Sequence, residues 1–353
     1  LIYADEWKQA VTFAKDYEVF SHGIYTVYQH RLREHYPKQY DFVNAAVELQ
    51  KLGCDVQLVD LTLQIDGLEA VAGSIENDIK KLGGILVMNS VFDYLKSNGD
   101  YYPVYKKFVI VNKIGLVPHL TWPMPALGYI LNLCVKHTGI PIFTVNDTEK
   151  LNILNSIFHK ATLIGTIIEV RNYSTFEGLW PSVSKLSTVI SRLALFDSSF
   201  AFPSYDMDII VDFMLHLFGW LDENRFTDKF GFSQNELIAI TKTLDKILKD
   251  TGPQIFHSSV LEQHLPFFDK RKLDMILAHL AHIEGEENKE YKFVNDYVHL
   301  NFGNKPLIRI ASKSFLLCDK SWCSIGFYNV LITSARQLDT YKEECDSKIG
   351  TAI

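Results

Sequence analysis

Ser233-Gln-Asn-Glu236 writes a helix start into this chain. A serine at the cap position and a glutamate three residues on each satisfy a backbone N–H that the first turn leaves unbonded. Leu237, Ile240, Leu244, Ile247 and Leu248 follow at helical spacing, and Gly252-Pro253 supplies the stop. A helix over about 233–250 with one buried face follows, and it needs other helices to bury that face.

The same period recurs along the chain. Trp7, Ala10, Val11 and Ala14 share a face, as do Phe42, Ala45, Ala46, Leu49 and Leu52 ahead of Gly53. Helical patterning over 67–82 ends at Gly83-Gly84. Pro125 suits the first position of a helix through Val135. Asp147 or Thr148 can cap one across Leu151, Leu154 and Ile157. Further helices are expected at about 182–196, 270–283 and, capped by Asp319 or Ser321, from Trp322 to about Leu338.

Strand signals are fewer. Residues 54–61 alternate with period two, and Leu307–Ile310 and Phe315–Cys318 flank a polar turn as a short hairpin. Ile85–Met88 and Phe108–Val111 fit either a buried strand or a helix. The expected fold is mainly α with small β elements (α+β). The runner-up is an α/β, Rossmann-like N-terminal part over residues 54–145. Breaks near 145–150 and 225–230 divide the chain into 1–148, 149–228 and 229–353.

Composition limits the function classes. Hydrophobic residues make up 47% and aromatics 13%, too many for a disordered chain. The net charge of −7 and a pI near 6.0 exclude a basic footprint over the whole chain and leave only local patches for nucleic acid. The five cysteines are scattered with no Cys-x-x-Cys pair, which fits a reducing compartment better than a disulfide framework. Met207–Leu221 is the most apolar run. It is shorter than the ~20 residues a membrane span needs, and Asp206, Asp208, Asp212 and Asp222 bound or interrupt it. It reads as a buried helix, and the chain as a cytoplasmic protein without membrane contact.

Several residue sets could carry chemistry. His279 and His282 lie three apart on a predicted helix, with His264, Asp274 and Glu284 near in sequence, so His264, His279 and His282 are the candidate metal ligands of a hydrolase. No HExxH frame supports them, and surface or core histidines are the default. Arg31 and His35 could pair for RNA cleavage, with nothing further to support it. A metal-dependent nuclease needs carboxylates for the metal and a lysine for the attacking water. Glu290-Tyr-Lys292, with Asp269 or Asp274 upstream, has those letters but follows a polar stretch, so Glu290 reads as a solvated turn residue. Asp147 with Glu169-Val-Arg171 has a more strand-like setting but lacks the lysine. Lys106, Lys107, Lys270, Arg271 and Lys272 are the local cations able to touch phosphate, against a default of solvated faces. There is no nucleotide-binding glycine loop and no nucleophile elbow.

Phe230-Gly-Phe-Ser-Gln-Asn-Glu-Leu237, Asn304-Lys-Pro-Leu-Ile-Arg-Ile310, Phe315-Leu-Leu317, Phe327-Tyr328 and Asp346-Ser-Lys-Ile-Gly350 together resemble a helical region of large bacterial proteins. In those proteins the region precedes a restriction-endonuclease-like nuclease domain, and some look like parts of defence against phage. The likeness covers about residues 230–353. It implies an accessory or sensor region of an anti-phage defence protein, associated with a nuclease effector. The carboxylate–lysine set of such a nuclease has no match here. The resemblance therefore implies an active site, and any divalent metal, beyond Ile353, with no cofactor within the chain. Leu1 and the closing Asp346–Ile353 accordingly read as internal edges of a larger protein. The alternative expectation is a non-enzymatic helical scaffold for protein–protein interaction, and a metal-dependent hydrolase is the second alternative. Partners expected are a protein or a second copy, with nucleic acid reached through the further domain.

Overall fold

A computed structural model describes residues 37–59, 62–97, 125–138, 146–179, 206–283, 290–294, 296, 302 and 304–338. These residues form a mainly helical protein with small β elements. The N-terminal group contains α1 (Pro37–Lys51), the antiparallel strands β1 (Asp55–Val59) and β2 (Thr62–Asp66), α2 (Leu68–Leu82), α3 (Gly84–Ser97), α4 (Leu127–Lys136) and α5 (Asp147–Leu179). The C-terminal group contains α6 (Met207–Phe218), α7 (Glu223–Phe230), α8 (Gln234–Ile247), β3 (Gln254–His257), α9 (Ser258–His264), α10 (Lys270–Leu280), β4 (Ala281–Ile283), β5 (Leu307–Ala311), β6 (Ser314–Leu317) and α11 (Lys320–Arg336).

The α/β runner-up gives way in the N-terminal part. β1 and β2 pair antiparallel, and Ile85–Met88 lies within α3, because its apolar residues continue a helical period through Val91 and Phe92. Glu169, read as strand-like, lies within the long helix α5. Phe108–Val111, the helix expected at 182–196, Lys106, Lys107, Arg31 and His35 fall outside the described residues.

In the N-terminal group α5 packs on α1 and α2, and α3 packs on α4. Polar side chains lock these contacts. Lys160 of α5 donates to Ser74 (2.6 Å) and Asp78 (3.0 Å) of α2. The Asp147–Ile168 part of α5 is long and apolar enough to cross a membrane, by length and composition alone. Asn146, rather than Asp147 or Thr148, caps this helix, accepting from the Glu149 N–H at 2.9 Å. Helix α6 has the buried face expected of it, with Met207, Ile210, Val211, Met214, Leu217 and Phe218 inside. It packs on α8 and α11, while Ile209 and Phe213 stay half-exposed on its outer side.

The two groups share one continuous buried apolar cluster. Their joint is a strap, residues 290–294, lying in sequence between β4 and β5. Tyr129 of α4 donates its hydroxyl to the Lys292 carbonyl (3.0 Å), and Lys136 donates to the Tyr291 carbonyl (2.8 Å). The Tyr291 ring is buried against Tyr129, at 6.1 Å between centroids. Behind the strap, Glu76 of α2 accepts from Lys136 (2.9 Å) and Lys80 (3.2 Å) and bonds His137 (2.9 Å). Burial alone would raise the Glu76 carboxyl. The hydrogen bonds from Lys136 and His137 outweigh it and bring it down to about 2. The Glu290-Tyr-Lys292 letters are therefore structural: Glu290 is an exposed turn residue, and the two following residues serve through backbone carbonyls.

Candidate nucleic-acid interface

Three helices and three strands of the C-terminal group form one compact arrangement. Helix α8 opens with both halves of the capping box in place: the Ser233 hydroxyl accepts from Glu236 N–H (3.2 Å), and the Glu236 carboxylate accepts from Ser233 N–H (2.8 Å). Beyond α8 the chain turns at Gly252, whose φ of 85° is the left-handed conformation that glycine adopts freely. The Gly252 N–H donates to Asp319 at 2.9 Å, and the other oxygen of that buried carboxylate accepts from Trp322 N–H at 2.9 Å. One aspartate thus caps α11 and fixes where β3 begins.

Strand β3 runs directly into α9. His257 caps that helix, its Nδ1 accepting from Ser259 N–H at 3.2 Å. Residues 265–269 connect α9 to α10, and Asp269 caps α10 by accepting from Arg271 N–H at 2.8 Å. Leu273, Ile276, Leu277 and Leu280 bury one face of α10, which leaves Lys270, Arg271, Met275 and Ala278 exposed on the other. Strands β5 and β6 then return as an antiparallel hairpin, with a bulge between Arg309 and Ala311. The sheet order is β3-β6-β5-β4: β3 pairs antiparallel with β6, and the short β4 pairs parallel with β5.

This is a helix–turn–helix, α9 and α10, braced by α8 and flanked by a hairpin. The hairpin turn is bonded to the helices. The Lys313 carbonyl accepts from Ser258 N–H at 2.9 Å, and the Lys313 ammonium lies 3.4 Å from Asp274 of α10. The start of α9, the outer face of α10 and the hairpin tip therefore share one surface. In such arrangements the second helix enters a DNA groove N-terminus first while neighbouring elements touch phosphates.

The predicted cations Lys270, Arg271 and Lys272 stand at the start of α10, the first two on this surface and Lys272 turned towards α8. Lys270 pairs with Glu262 of α9 at 2.7 Å, and Lys272 with Glu236 of α8 at 2.8 Å. The bond from Lys270 holds the Glu262 carboxyl below the usual carboxylate range, and both lysines are raised by their partners. Exposed Arg271 takes no part in these ion pairs. Residues 265–268 make a tight turn, with Phe268 N–H donating to the Leu265 carbonyl at 3.0 Å. Leu265 and Phe268 pack on the core, whereas Phe267 is 101% exposed.

The histidine candidates separate. His264 ends α9 and is exposed. His279 bonds the Ser334 hydroxyl of α11 at 2.8 Å between the rings of Phe230 and Phe232, and burial lowers its pKa. His282 is buried with its ring edge-on to Phe302. No group of three or more His, Cys, Asp or Glu able to hold a metal ion occurs among the described residues. Asp269 is a helix cap and Asp274 an ion-pair partner of the hairpin. Cys134, Cys318 and Cys323 are buried, and burial raises their thiols, which makes them inert rather than nucleophilic.

The helix–turn–helix itself has only faint signals in the sequence. β3 has four residues and α9 seven, too short to show a period. His257-Ser-Ser259 as a cap and Leu265-Pro266 as a break are the marks that could have located α9. Comparison with family models, with curated proteins and with solved structures found no match for this chain.

Proposed function

We propose that this chain is the recognition part of a bacterial anti-phage defence protein, an accessory or sensor region that binds nucleic acid through α10 and the β5–β6 turn. The supporting observation is the shared surface itself. A helix–turn–helix and a hairpin turn bring Lys270, Arg271 and Lys313 from separate stretches of sequence to one side of the molecule. The defence setting and the associated nuclease effector rest on the resemblance of residues 230–353, with catalysis and any divalent metal supplied outside this chain, in the cytoplasm.

Phosphate contacts release counterions, so binding has a diagnostic salt dependence. Fluorescence anisotropy with a labelled DNA duplex at stepped salt tests the reading. Three to four phosphate contacts predict a log–log slope of about −3. A variant with Lys270, Arg271 and Lys313 all changed to Ala is expected to lose most of that slope. No binding at low salt overturns the reading.

A scaffold for protein–protein interaction is the second reading. The half-exposed Ile209 and Phe213, one turn apart on α6, favour it. A pull-down that captures a partner from wild-type extract but not with Ile209→Asp would support it.

A further inference from the structure

Phe267 is a large apolar side chain held fully in solvent by a built turn. Pro266 fixes the backbone at the second turn position, Leu265 and Phe268 anchor both ends in the core, and the Phe268 N–H to Leu265 carbonyl bond closes it. The ring at the third position stands clear of the core. The backbone that presents the ring is already fixed, so binding has only the side-chain rotation left to arrest.

Its surroundings select the ligand. Within five residues stand Lys270, Arg271 and Lys272, in the first turn of α10. A ligand for both features needs a flat apolar face covalently joined to an anion. A nucleotide has both, and away from a duplex end only an unpaired base leaves its face open to a side chain from outside, since interior base pairs are stacked on both faces. We infer that Phe267 stacks on an unpaired base, so that this site takes a duplex adjoining a single-stranded stretch in preference to a blunt duplex. This rests on the nucleic-acid reading of the α10 surface given above and adds to it the class of ligand.

Phe267 is well suited to a test, because truncating a fully exposed ring removes no packing. Wild type, Phe267→Ala, Phe267→Trp and the control Leu151→Ala are compared in the full chain. Leu151 is also exposed and apolar but lies on α5. Anisotropy titrations use one labelled blunt DNA duplex and the same duplex with an eight-thymidine overhang. Wild type and Leu151→Ala are expected to prefer the overhang. Phe267→Ala should bind it about 5- to 100-fold more weakly and lose the preference, with the salt slope of overhang binding unchanged because the phosphate contacts remain. Phe267→Trp should retain the preference, and its added indole emission should fall on binding. Equal overhang binding by wild type and Phe267→Ala overturns the stacking inference while leaving the phosphate surface standing. Absence of wild-type binding to both DNAs at low salt overturns both.

Discussion

Gly326 and Gly73 both lie inside helices, and the same substitution is expected to move stability in opposite directions at the two sites. In an open helix, Gly→Ala stabilises by about 1 kcal/mol, because glycine loses more backbone freedom on folding. A methyl group on Gly73 of α2 meets nothing within 4 Å, so that gain should appear in full. On Gly326 of α11 the added carbon would sit 2.1 Å from the Phe302 carbonyl oxygen and 2.9 Å from the Pro306 nitrogen. These are backbone atoms just before β5, and no rotamer change can clear them. Overpacking of this kind costs about 1–3 kcal/mol, and the rigid neighbours argue for the upper end. Subtracting the helix gain leaves about 2 kcal/mol of net destabilisation. At about 2 °C per kcal/mol for a chain of this size, Gly326→Ala should melt about 4 °C below wild type and Gly73→Ala slightly above it. Thermal and urea unfolding followed by circular dichroism measures both. A Gly326→Ala variant as stable as wild type would show that the chain before β5 moves aside freely, and the close approach of α11 to it would lose its meaning.

Acid should weaken the protein in two windows. Burial lowers His137 and His279, so the unfolded chain takes up more protons than the folded one below about pH 6.5, and stability falls as pH drops through that range. Glu76, held at about 2, contributes stability that is complete above its ordinary value of 4.5 and is lost as pH falls towards 2. Urea midpoints at pH 7.5, 5.5 and 3.5 read both windows, and a flat profile would sink the assignment. Glu76→Ala leaves Lys136 and His137 without their shared acceptor and should cost about 2 kcal/mol, seen as a lower urea midpoint. Glu262→Gln removes the carboxylate that competes for Lys270, so it should tighten DNA binding about 2- to 5-fold at low salt; weaker binding would mean that Glu262 orients the lysine rather than masking it. Cys54, Cys134, Cys318 and Cys323 should resist a thiol reagent in the folded chain and react after urea, with labelled peptides identified by mass spectrometry.

Features that act within one element were legible in the sequence. The Ser233–Glu236 capping box, the Asp319 cap and the hairpin at 307–318 all depend on neighbours a few residues away, and all stand in the structure; the stop expected at Gly252-Pro253 does not, because α8 ends at Ile247 with Leu248 already extended. Features that depend on distant partners were not legible. Nothing local in Gln254–His257 marks a strand, because its partner is β6, beyond α9, α10 and the strap. The ionic partners of Lys270 and Lys272 lie on α9 and α8, so the sequence marked the cations but not the carboxylates that hold them. The histidines misled for the same reason. Helical spacing predicted one face for His279 and His282, but α10 ends at Leu280, and β4 carries His282 away from the Ser334 contact made by His279.

The pairing of β3 with β6 also constrains the order of events as the chain folds. The β5–β6 hairpin needs only a two-residue turn and can close early, since closing a short loop costs little entropy. β3 must wait until everything between it and the hairpin has collapsed, and until then β6 offers an open edge. Pairings so distant in sequence are slow to form. The late step that docks β3 also carries α9 against the hairpin turn, through the bond from Ser258 to Lys313. The α10 surface is therefore completed only after the hairpin has formed, and a chain stalled before that step would expose Ile308, Phe315 and Leu316, buried in the finished sheet, to other unfinished copies of itself.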